Sequence, residues 1–394
     1  MVIPKILVVG QTPPPIGGQA VLISELLAAS FSRVKLFHVR MAFSNDMKEV
    51  GRLRAGKVAH LGSVIARIVW MRFRHGTKVL YYPPAGNDRN PIFRDLIILG
   101  ATRWLFKRTI FHFHACGVSA SVKLLPQPLR WLSGLVYGAP DCAIVQSSVN
   151  PPDGFNLKAA RNVLVPCGLK DSYPPYKEHQ RKPSNPPVLL FVGRIGSLKG
   201  VPDLLESSLN LIKRRVPFRL ELMGQFASPE DEQNILGFID DNQMKDHVRF
   251  LGVLDGDEKW SAFLRADVFC FPSYYESFGL ALLEAMQFSI PVVSTRWYGV
   301  PPETAANGHD YPLVDGHTGY LVDLGDTAAF SRRLEELLAS PALRREMGKN
   351  GRQLYLRKYT LDRWLRDMEE IFYSSSQERM NYSSDTLELF PKRN

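Results

Sequence analysis

Disulfide frameworks, membrane-spanning runs and secretion signals are what this 394-residue sequence lacks. Its four cysteines are scattered and form no CxxC pair, which excludes a disulfide or zinc framework and suits a reducing compartment. No apolar run approaches the roughly 18 residues that a membrane span needs. The apolar run near the start is too short for a signal peptide. We therefore expect a cytoplasmic protein.

Acidic residues are scarce in the first half of the chain. Residues 1–175 carry 22 Lys and Arg against 8 Asp and Glu, a balance of +14, whereas residues 176–370 have a balance of −4. An anionic membrane surface, nucleic acid or an acidic ligand would each explain this asymmetry. No helix-turn-helix, zinc-finger or RNP signature is present, so we expect no nucleic-acid partner.

Many of these cations alternate with large apolar residues. Residues 67–74 read Arg-Ile-Val-Trp-Met-Arg-Phe-Arg, and residues 103–108 read Arg-Trp-Leu-Phe-Lys-Arg. Such mixing is typical of interfacial helices and predicts contact with an anionic membrane surface. A solvated helix face with core aromatics is the alternative.

Length and periodicity predict two domains, each an α/β doubly wound parallel sheet, because strand-like runs alternate with helical ones. We expect the first domain over residues 1–175 and a proline-rich linker over 176–187. The second domain follows over 188–360, then a last helix over 361–373. The polar tail, residues 374–394, is expected to be disordered.

Residues 267–293 read as strand, loop, helix and strand, and two carboxylates lie in this unit. Glu276 falls in the loop at the carboxyl end of the strand, where open α/β sheets bind ligands. Glu284 lies inside an otherwise apolar helix, where a buried carboxylate requires a partner. A salt bridge or a solvated side of the helix would also account for them.

Two glycine-containing loops precede helices. The loop of residues 193–200 carries Arg194 and Lys199 to a helix start, where cations oppose the dipole unless an anion lies between them. Their geometry suits phosphate, although the loop is not a Walker A sequence. Gly17 and Gly18 also stand at a helix start, where they permit an anion to approach closely. Surface cations and a tight turn are the respective alternatives.

His114 closes a predicted strand. Alternation places His112 and His114 on one face of the sheet and Phe111 and Phe113 on the other. A metal site drawn from the two histidines and Cys116 has no second ligand cluster to support it, so we expect no metal. His114 is either a structural or a site histidine.

Three motifs together resemble the retaining GT-B glycosyltransferases of the GT4, or glycosyltransferase group 1, family. They are Gly-Arg-x4-Lys-Gly at 193–200, Tyr-Glu-Ser-Phe-Gly-x4-Glu-Ala at 275–285, and Gly-Tyr-Leu-Val at 319–322. The resemblance covers almost the whole chain. It implies two Rossmann-like domains facing a central cleft, with a nucleotide-sugar donor mainly on the C-terminal one. It also implies that the last helix crosses back to the first domain.

The resemblance implies roles for the charged residues. Arg194 and Lys199 would hold the donor diphosphate. Glu284 would accept hydrogen bonds from the ribose, and Glu276 from the sugar hydroxyls. His114 would close over the sugar. The catalytic set implied is therefore His114, Glu276, Arg194 and Lys199.

Further donor contacts are implied for backbone amides, glycines and apolar residues. The amides would meet the sugar or phosphate, the glycines would lie near the phosphates, and the apolar pair would contact the base. The amides are those of Phe278, Gly279 and Leu280, and the glycines are Gly17 and Gly18. The apolar pair is Val253 and Leu254.

The function implied is transfer of a sugar to an acceptor hydroxyl with retained configuration, without metal or cofactor. The basic aromatic pattern adds a membrane surface, and hence a surface-polysaccharide or lipid-linked glycan acceptor. A soluble transferase with a small acceptor, a non-catalytic nucleotide-binding module and a GT-B epimerase or phosphorylase are the alternatives. Residues 296–303 and the segment up to His317 depart from the family's Gly-Gly-x-Pro-Glu run, which leaves the donor sugar open.

Overall fold

The chain folds into two compact units. The computed structural model describes residues 3–14, 17–41, 43, 55–84, 86, 89–174, 184–297 and 312–377. Residues 1–167 and 362–394 make up the first unit, and residues 168–361 make up the second. Each unit contains a six-stranded sheet in which every recorded strand pairing is parallel. The predicted α/β class with two doubly wound parallel sheets is confirmed.

The first unit's sheet has the strand order β2-β1-β3-β4-β5-β6. Its strands are β1 (Lys5–Gly10), β2 (Lys35–Arg40), β3 (Val79–Tyr82), β4 (Arg108–His112), β5 (Cys142–Val145) and β6 (Asn162–Leu164). Its helices are α1 (Gly18–Ala28), α2 (Ala55–His75), α3 (Arg89–Thr102), α4 (Val118–Lys123), α5 (Gln127–Tyr137) and α6 (Asp153–Asn156). Because β2 and β3 flank β1, the order reverses between β1 and β3.

The second unit's sheet has the order β12-β11-β10-β7-β8-β9, which is the 3-2-1-4-5-6 order of dinucleotide-binding folds. Its strands are β7 (Val188–Val192), β8 (Arg219–Met223), β9 (Val248–Gly252), β10 (Val268–Phe271), β11 (Val292–Thr295) and β12 (Gly319–Val322). Its helices are α7 (Val201–Lys213), α8 (Pro229–Asp241), α9 (Gly256–Arg265), α10 (Leu280–Gln287), α11 (Thr327–Ala339) and α12 (Pro341–Lys358). The order reverses between β7 and β10.

Continuous apolar runs explain the central strands of both sheets. Every residue of β3, β5 and β10 is buried, as expected where helices cover both faces of a parallel sheet. The strands therefore lack the apolar-polar alternation of a half-exposed sheet.

The last helix, α13 (Leu361–Ser376), packs within the first unit from residue 362 onwards. Phe372 is fully buried and meets Phe31 and Tyr81 edge to face, at centroid distances of 6.4 and 5.4 Å. Ser375 is also buried, so residues 374–376 are part of this helix and the expectation of a disordered tail from 374 was wrong for them. The rest of that tail, from residue 378, lies outside the described residues.

Residues 168–174 pack with the second unit and not, as the sequence suggested, with the first. Leu169 pairs with Thr360, and the Tyr355 hydroxyl donates to the Leu169 carbonyl at 2.7 Å. Arg352 forms an ion pair with Asp171 at 2.5 Å. These long-range contacts fix the boundary, and local composition does not report them. The predicted linker is described only over residues 184–187.

A buried chain of hydrogen bonds lies at the carboxyl end of β4. The Gln146 amide nitrogen is 2.9 Å from Nδ1 of His114, whose Nε2 is 3.2 Å from the Tyr81 hydroxyl. That hydroxyl lies 2.8 Å from Nδ1 of His112. With Gln146 donating, each later group donates to the next, so both imidazoles are neutral. The two rings stack at 3.9 Å, which confirms that they share a face.

Burial is the main reason that both imidazoles stay neutral. It lowers the pKa of His114 to about 3. Burial, with His114 as a neighbour, also lowers the pKa of His112 well below its ordinary value. Nε2 of His112 has no hydrogen-bond partner among the described residues.

Within the part of the chain that the structure describes, no helix combines the length and apolar character needed to cross a membrane.

The contact between Phe372 and its aromatic neighbours gives a first prediction. Replacing Phe372 with Ala should lower the free energy of unfolding by about 3–5 kcal/mol, because a fully buried aromatic is removed. Leu356→Ala, at a residue that is 49% exposed, should cost no more than about 0.5 kcal/mol. Denaturant titration of both variants measures this, and equal losses would contradict the packing of α13.

The neutral histidine pair gives a second prediction. Because folding depresses both pKa values, the unfolded chain binds more protons below its ordinary histidine pKa of about 6.5. Stability should be full above that pH and fall as the pH drops towards 3, by up to about 1.4 kcal/mol per pH unit for each imidazole. Denaturation of His112→Phe between about pH 5 and 7.5 should show a shallower fall than wild type. If the free energy of unfolding fell equally steeply with pH in the variant and the wild type, the prediction would be wrong.

Candidate functional site

The predicted charged residues of the second unit lie around the carboxyl ends of β7 and β10. These strands are neighbours, and the strand order reverses between them. Open α/β sheets bind ligands at such a reversal, outside the carboxyl ends of the strands. Lys199 follows β7 and Glu276 follows β10, so the two predicted site loops meet there.

The loop after β7 is pressed against the loop after β10. Gly200 has φ of +67°, and a Cβ at this position would lie 1.9 Å from the Pro272 carbonyl oxygen. Only glycine fits both the backbone conformation and the space. The Tyr274 amide donates to the Leu198 carbonyl at 3.2 Å, and the Tyr274 hydroxyl donates to Asp203 at 2.6 Å. The latter bond raises the pKa of Tyr274 to about 12.

Lys199 and Glu276 form an ion pair. Lys199 Nζ donates to Oε1 of Glu276, and the Ser273 hydroxyl donates to the same oxygen at 3.0 Å. The side chains are 29% and 16% exposed, so the pair is partly shielded but open to solvent. The structure thus brings together two residues that the resemblance assigned to the diphosphate and to the sugar.

Arg194 lies on the other side of β7, towards the loop after β8. Its Nη2 donates to the Ala227 carbonyl at 2.8 Å, and the residue is exposed. Asp231 accepts the amide and hydroxyl of Ser197, both at 2.9 Å. Burial works to raise the pKa of Asp231, but hydrogen bonds from Ser228 and Ser197, with the charge of Arg194, hold it below its ordinary value. Arg194 and Lys199 therefore follow the same strand, β7, but Arg194 contacts the loop after β8 and Lys199 contacts the loop after β10.

Helix α10 begins directly after this site. Gly279 is its N-cap, with φ of +82°, and no side chain caps the helix or adds an acid to its first turn. Leu280 is the first helical residue. Phe278 is buried and meets Tyr359 edge to face at 5.9 Å. The backbone amides that the resemblance assigns to the donor therefore lie at the N-terminus of a helix that no side chain caps.

Glu284, one turn further along α10, has the partner that its surroundings demanded. Lys259 on α9 donates to its Oε1 at 2.6 Å. The two side chains are 22% and 17% exposed. The prediction of a partner is confirmed, and the ribose role implied by the resemblance stays a prediction.

The base-contact pair lies at one edge of the same sheet. Val253 and Leu254 follow the edge strand β9, and Val253 is 69% exposed. Arg296, directly after β11, pairs with Asp323, just beyond the other edge strand β12, at 2.9 Å, and with Asp315 at 3.4 Å. Of the segment that departs from the family, residues 298–311 lie outside the described residues.

The glycine loop of the first unit follows β1, beside the reversal between β1 and β3. Gly17 is the N-cap of α1, and Gly18 is its first residue. A Cβ at Gly17 would meet no described atom within 4 Å, so packing among the described residues does not require glycine at this position. Arg40 tethers the loop by donating to the Thr12, Pro13 and Pro14 carbonyls.

His114 differs from the other predicted site residues because it is buried and both of its ring nitrogens are bonded within the first unit. Its predicted contact with the donor sugar stays a prediction. Tyr81 and Gln146, which hold it, carried no signal in the sequence. The same holds for Lys259, which lies 25 residues before Glu284. Ser273 was visible only as part of a turn.

Within the described ranges, no group of three His, Cys, Asp or Glu side chains is arranged to hold a metal ion. All four cysteines are buried, and none forms a disulfide.

Part of this chain resembles a known protein family and known proteins. Residues 173–354 match the family of glycosyl transferases group 1. A D-inositol 3-phosphate glycosyltransferase of Pseudarthrobacter chlorophenolicus is 37% identical over 164 residues, which are 41% of this chain and 36% of that protein. The lipopolysaccharide core biosynthesis glycosyltransferase LpsE of Rhizobium meliloti is 29% identical over 178 residues, 45% of this chain and 47% of that protein. The chain thus spans less than half the length of these relatives.

Solved structures resemble the whole chain. Sucrose-phosphate synthase of Thermosynechococcus elongatus has a TM-score of 0.69 at 19% identity, covering 94% of this chain and 98% of that one. Anabaena Alr3699/HepE in complex with UDP-glucose has a TM-score of 0.67 at 15% identity, covering 94% and 99%. These likenesses establish the fold. Residues 173–354 thus match the glycosyl transferases group 1 family, and the two Rossmann-like sheets have the GT-B fold.

Proposed function

We propose that the protein is a glycosyltransferase that moves a sugar from a nucleotide-diphosphate donor to an acceptor hydroxyl, without metal or cofactor. The observation that carries this is the Lys199–Glu276 pair at the β7–β10 reversal, within the segment that matches the family. An ammonium group beside a carboxylate suits a ligand that has both an anionic part and a hydroxyl-rich part.

The bond that breaks is the one between the anomeric carbon and the diphosphate, so negative charge grows on the phosphate oxygens. Lys199, Arg194 and the uncapped start of α10 present positive charge near the end of the sheet where these oxygens would lie. Such groups stabilise the transition state because they are oriented before the charge develops. Glu276 has Ser273 and Lys199 to fix its carboxylate, and would accept hydrogen bonds from the sugar hydroxyls.

In the proposed step, the acceptor oxygen attacks the anomeric carbon on the face that the diphosphate leaves. The acceptor proton passes to a leaving phosphate oxygen, and configuration is retained. We propose further donor contacts for Gly17, Gly18 and His114 of the first unit, and base contacts for Val253 and Leu254 of the second. The ribose would bind at Glu284.

The acceptor is proposed to be a glycan or lipid-linked precursor in surface polysaccharide synthesis, as the LpsE name suggests for that relative. A small soluble acceptor, and a non-catalytic nucleotide-binding module, are the alternatives. The presence of both Lys199 and Glu276 supports an enzyme over an inactive module, because loss of either residue would mark the inactive form.

Membrane contact is proposed on the side of the first unit where α2, α5 and the turn after α3 meet. Arg72 on α2 donates to the Leu105 carbonyl at 2.7 Å, and Arg103 donates to the Val136 carbonyl at 2.6 Å. Large apolar side chains are exposed on these elements: Trp70 59%, Phe73 66%, Trp104 78%, Trp131 69% and Leu135 60%. We call them the aromatic patch.

The aromatic patch is rimmed by cations. Arg67, Arg74, Lys107 and Arg130 are exposed on the same elements. Tryptophan favours the headgroup level of a bilayer, and Lys and Arg favour anionic lipid. A peripheral position at the cytoplasmic face of a membrane would place the protein beside a lipid-linked acceptor.

The donor site predicts loss of turnover on loss of either charge. Lys199→Met and Glu276→Gln should each lower kcat/KM at least about 100-fold in a screen of UDP-, GDP- and ADP-sugars, because a charged contact to the donor is removed. Melting temperatures should stay close to that of the wild type, because both groups are partly exposed.

Lys245→Met is the matched control, since Lys245 forms an exposed ion pair with Asp240 at 2.9 Å. It should turn over at the wild-type rate. Wild-type rates in Lys199→Met or Glu276→Gln would overturn the assignment, whereas donor binding without turnover in the wild type would favour the non-catalytic module.

The aromatic patch predicts binding to anionic vesicles. The wild type should sediment with phosphatidylcholine vesicles that contain about 30% phosphatidylglycerol, and much less with phosphatidylcholine alone. Trp104→Ala/Trp131→Ala should weaken binding at least about tenfold, because two interfacial anchors are lost. Leu356→Ala, 49% exposed in the second unit, should bind like the wild type. No sedimentation of the wild type at low salt would favour the soluble transferase.

A further inference from the structure

The ion pair between Lys259 and Glu284 joins a motif residue to a lysine that no sequence motif assigned. Lys259 belongs to α9 and Glu284 to α10, and their charged atoms are 2.6 Å apart. The bond uses Oε1 of Glu284, and no hydrogen bond to its other oxygen is recorded among the described residues. A carboxylate has about four acceptor positions, so this one keeps capacity for further donors.

The lysine is itself held in place. Its ammonium lies 4.7 Å from the centre of the Trp260 ring. Trp260 in turn stacks on Phe288 at 5.5 Å, with 18° between the ring planes. Because Phe288 follows directly after α10, this stack joins the two helices beside the ion pair. The ammonium is thus fixed by a carboxylate and by an aromatic ring, which limits the orientations that Glu284 adopts.

Lys245, another lysine of the second unit that forms an ion pair, is much more exposed than Lys259. Lys245 and Asp240 also pair, at 2.9 Å, but their side chains are 71% and 56% exposed, against 22% and 17% for Lys259 and Glu284. Side chains so exposed lose little by separating, whereas the shielded pair keeps one geometry. Shielding and the aromatic contact set Lys259 apart as a residue that orients its partner.

We propose that Lys259 is a positioning residue for recognition of the donor's ribose. This rests on the proposed function, which assigns the ribose hydroxyls to Glu284. Lys259 holds Glu284 by Oε1 and leaves its second oxygen to accept from the vicinal hydroxyls. The lysine thereby determines how strongly the site distinguishes a ribonucleotide from one that lacks those hydroxyls, without itself touching the reacting atoms.

The test compares nucleotide affinities by isothermal titration calorimetry. The tightest of UDP, GDP and ADP is measured against its 2′,3′-dideoxy analogue. Wild-type protein should prefer the ribonucleotide by about 10- to 100-fold, the effect of a hydrogen bond to a charged group. Lys259→Met should reduce this preference about tenfold, through loss of ribonucleotide affinity with little change for the analogue. Lys259→Arg should restore most of it.

Two further variants separate orientation from general damage. Lys245→Met should keep the wild-type preference. In a Glu284→Gln background, Lys259→Met should have no further effect on the preference, because its partner is already lost. Equal losses for both nucleotides in Lys259→Met, or an unchanged preference, would overturn the role of Lys259 while leaving the transferase proposal intact. If the wild type binds none of the three diphosphates, the proposed function fails and this inference fails with it.

Discussion

The close approach of Gly200 to the Pro272 carbonyl is the constraint on which the candidate site depends. With a Cβ, residue 200 would stand 1.9 Å from that oxygen, so a side chain there would force the two loops apart. As it is, the loop after β7 lies against the loop after β10, and Lys199 reaches Glu276. The chemistry of the site therefore follows from a backbone contact at the point where the strand order reverses.

This constraint explains what could be predicted from sequence. The strands of the second sheet are apolar runs between turn residues, and the glycines, Arg194 and Lys199 fall at fixed distances from them, so fold class and loop positions were readable locally. Which cation meets which carboxylate was not readable, because pairing depends on strand order. Lys199 meets Glu276 from a loop 77 residues away. For Glu284, the sequence predicted only that the carboxylate needs a partner, and it did not identify Lys259 as that partner.

The first unit shows the same limit from the opposite side. Alternation correctly placed His112 and His114 on one face of the sheet, since local backbone geometry alone decides it. It did not reveal that the Tyr81 hydroxyl bridges their nitrogens or that Gln146 bonds the other nitrogen of His114, because Tyr81 belongs to β3 and Gln146 follows β5. The domain boundary was misplaced for a related reason. Residues 168–174 are held by Thr360, Tyr355 and Arg352, which are distant in sequence.

Electrostatics link these observations to the proposed chemistry. Lys199 and Lys259 each bond a carboxylate of the second unit, and each pair remains partly open to solvent. Paired in this way, the carboxylates are held ready to accept hydroxyl donors without repelling an incoming diphosphate as strongly as isolated charges would. Arg194 donates to the Ala227 carbonyl and helps to lower the pKa of the Asp231 carboxyl, so its charge is shared between Asp231 and an incoming anion. A site whose two acids are each paired with a lysine, and whose loop after β7 carries a further arginine, therefore suits a ligand that is anionic at one end and rich in hydroxyls at the other.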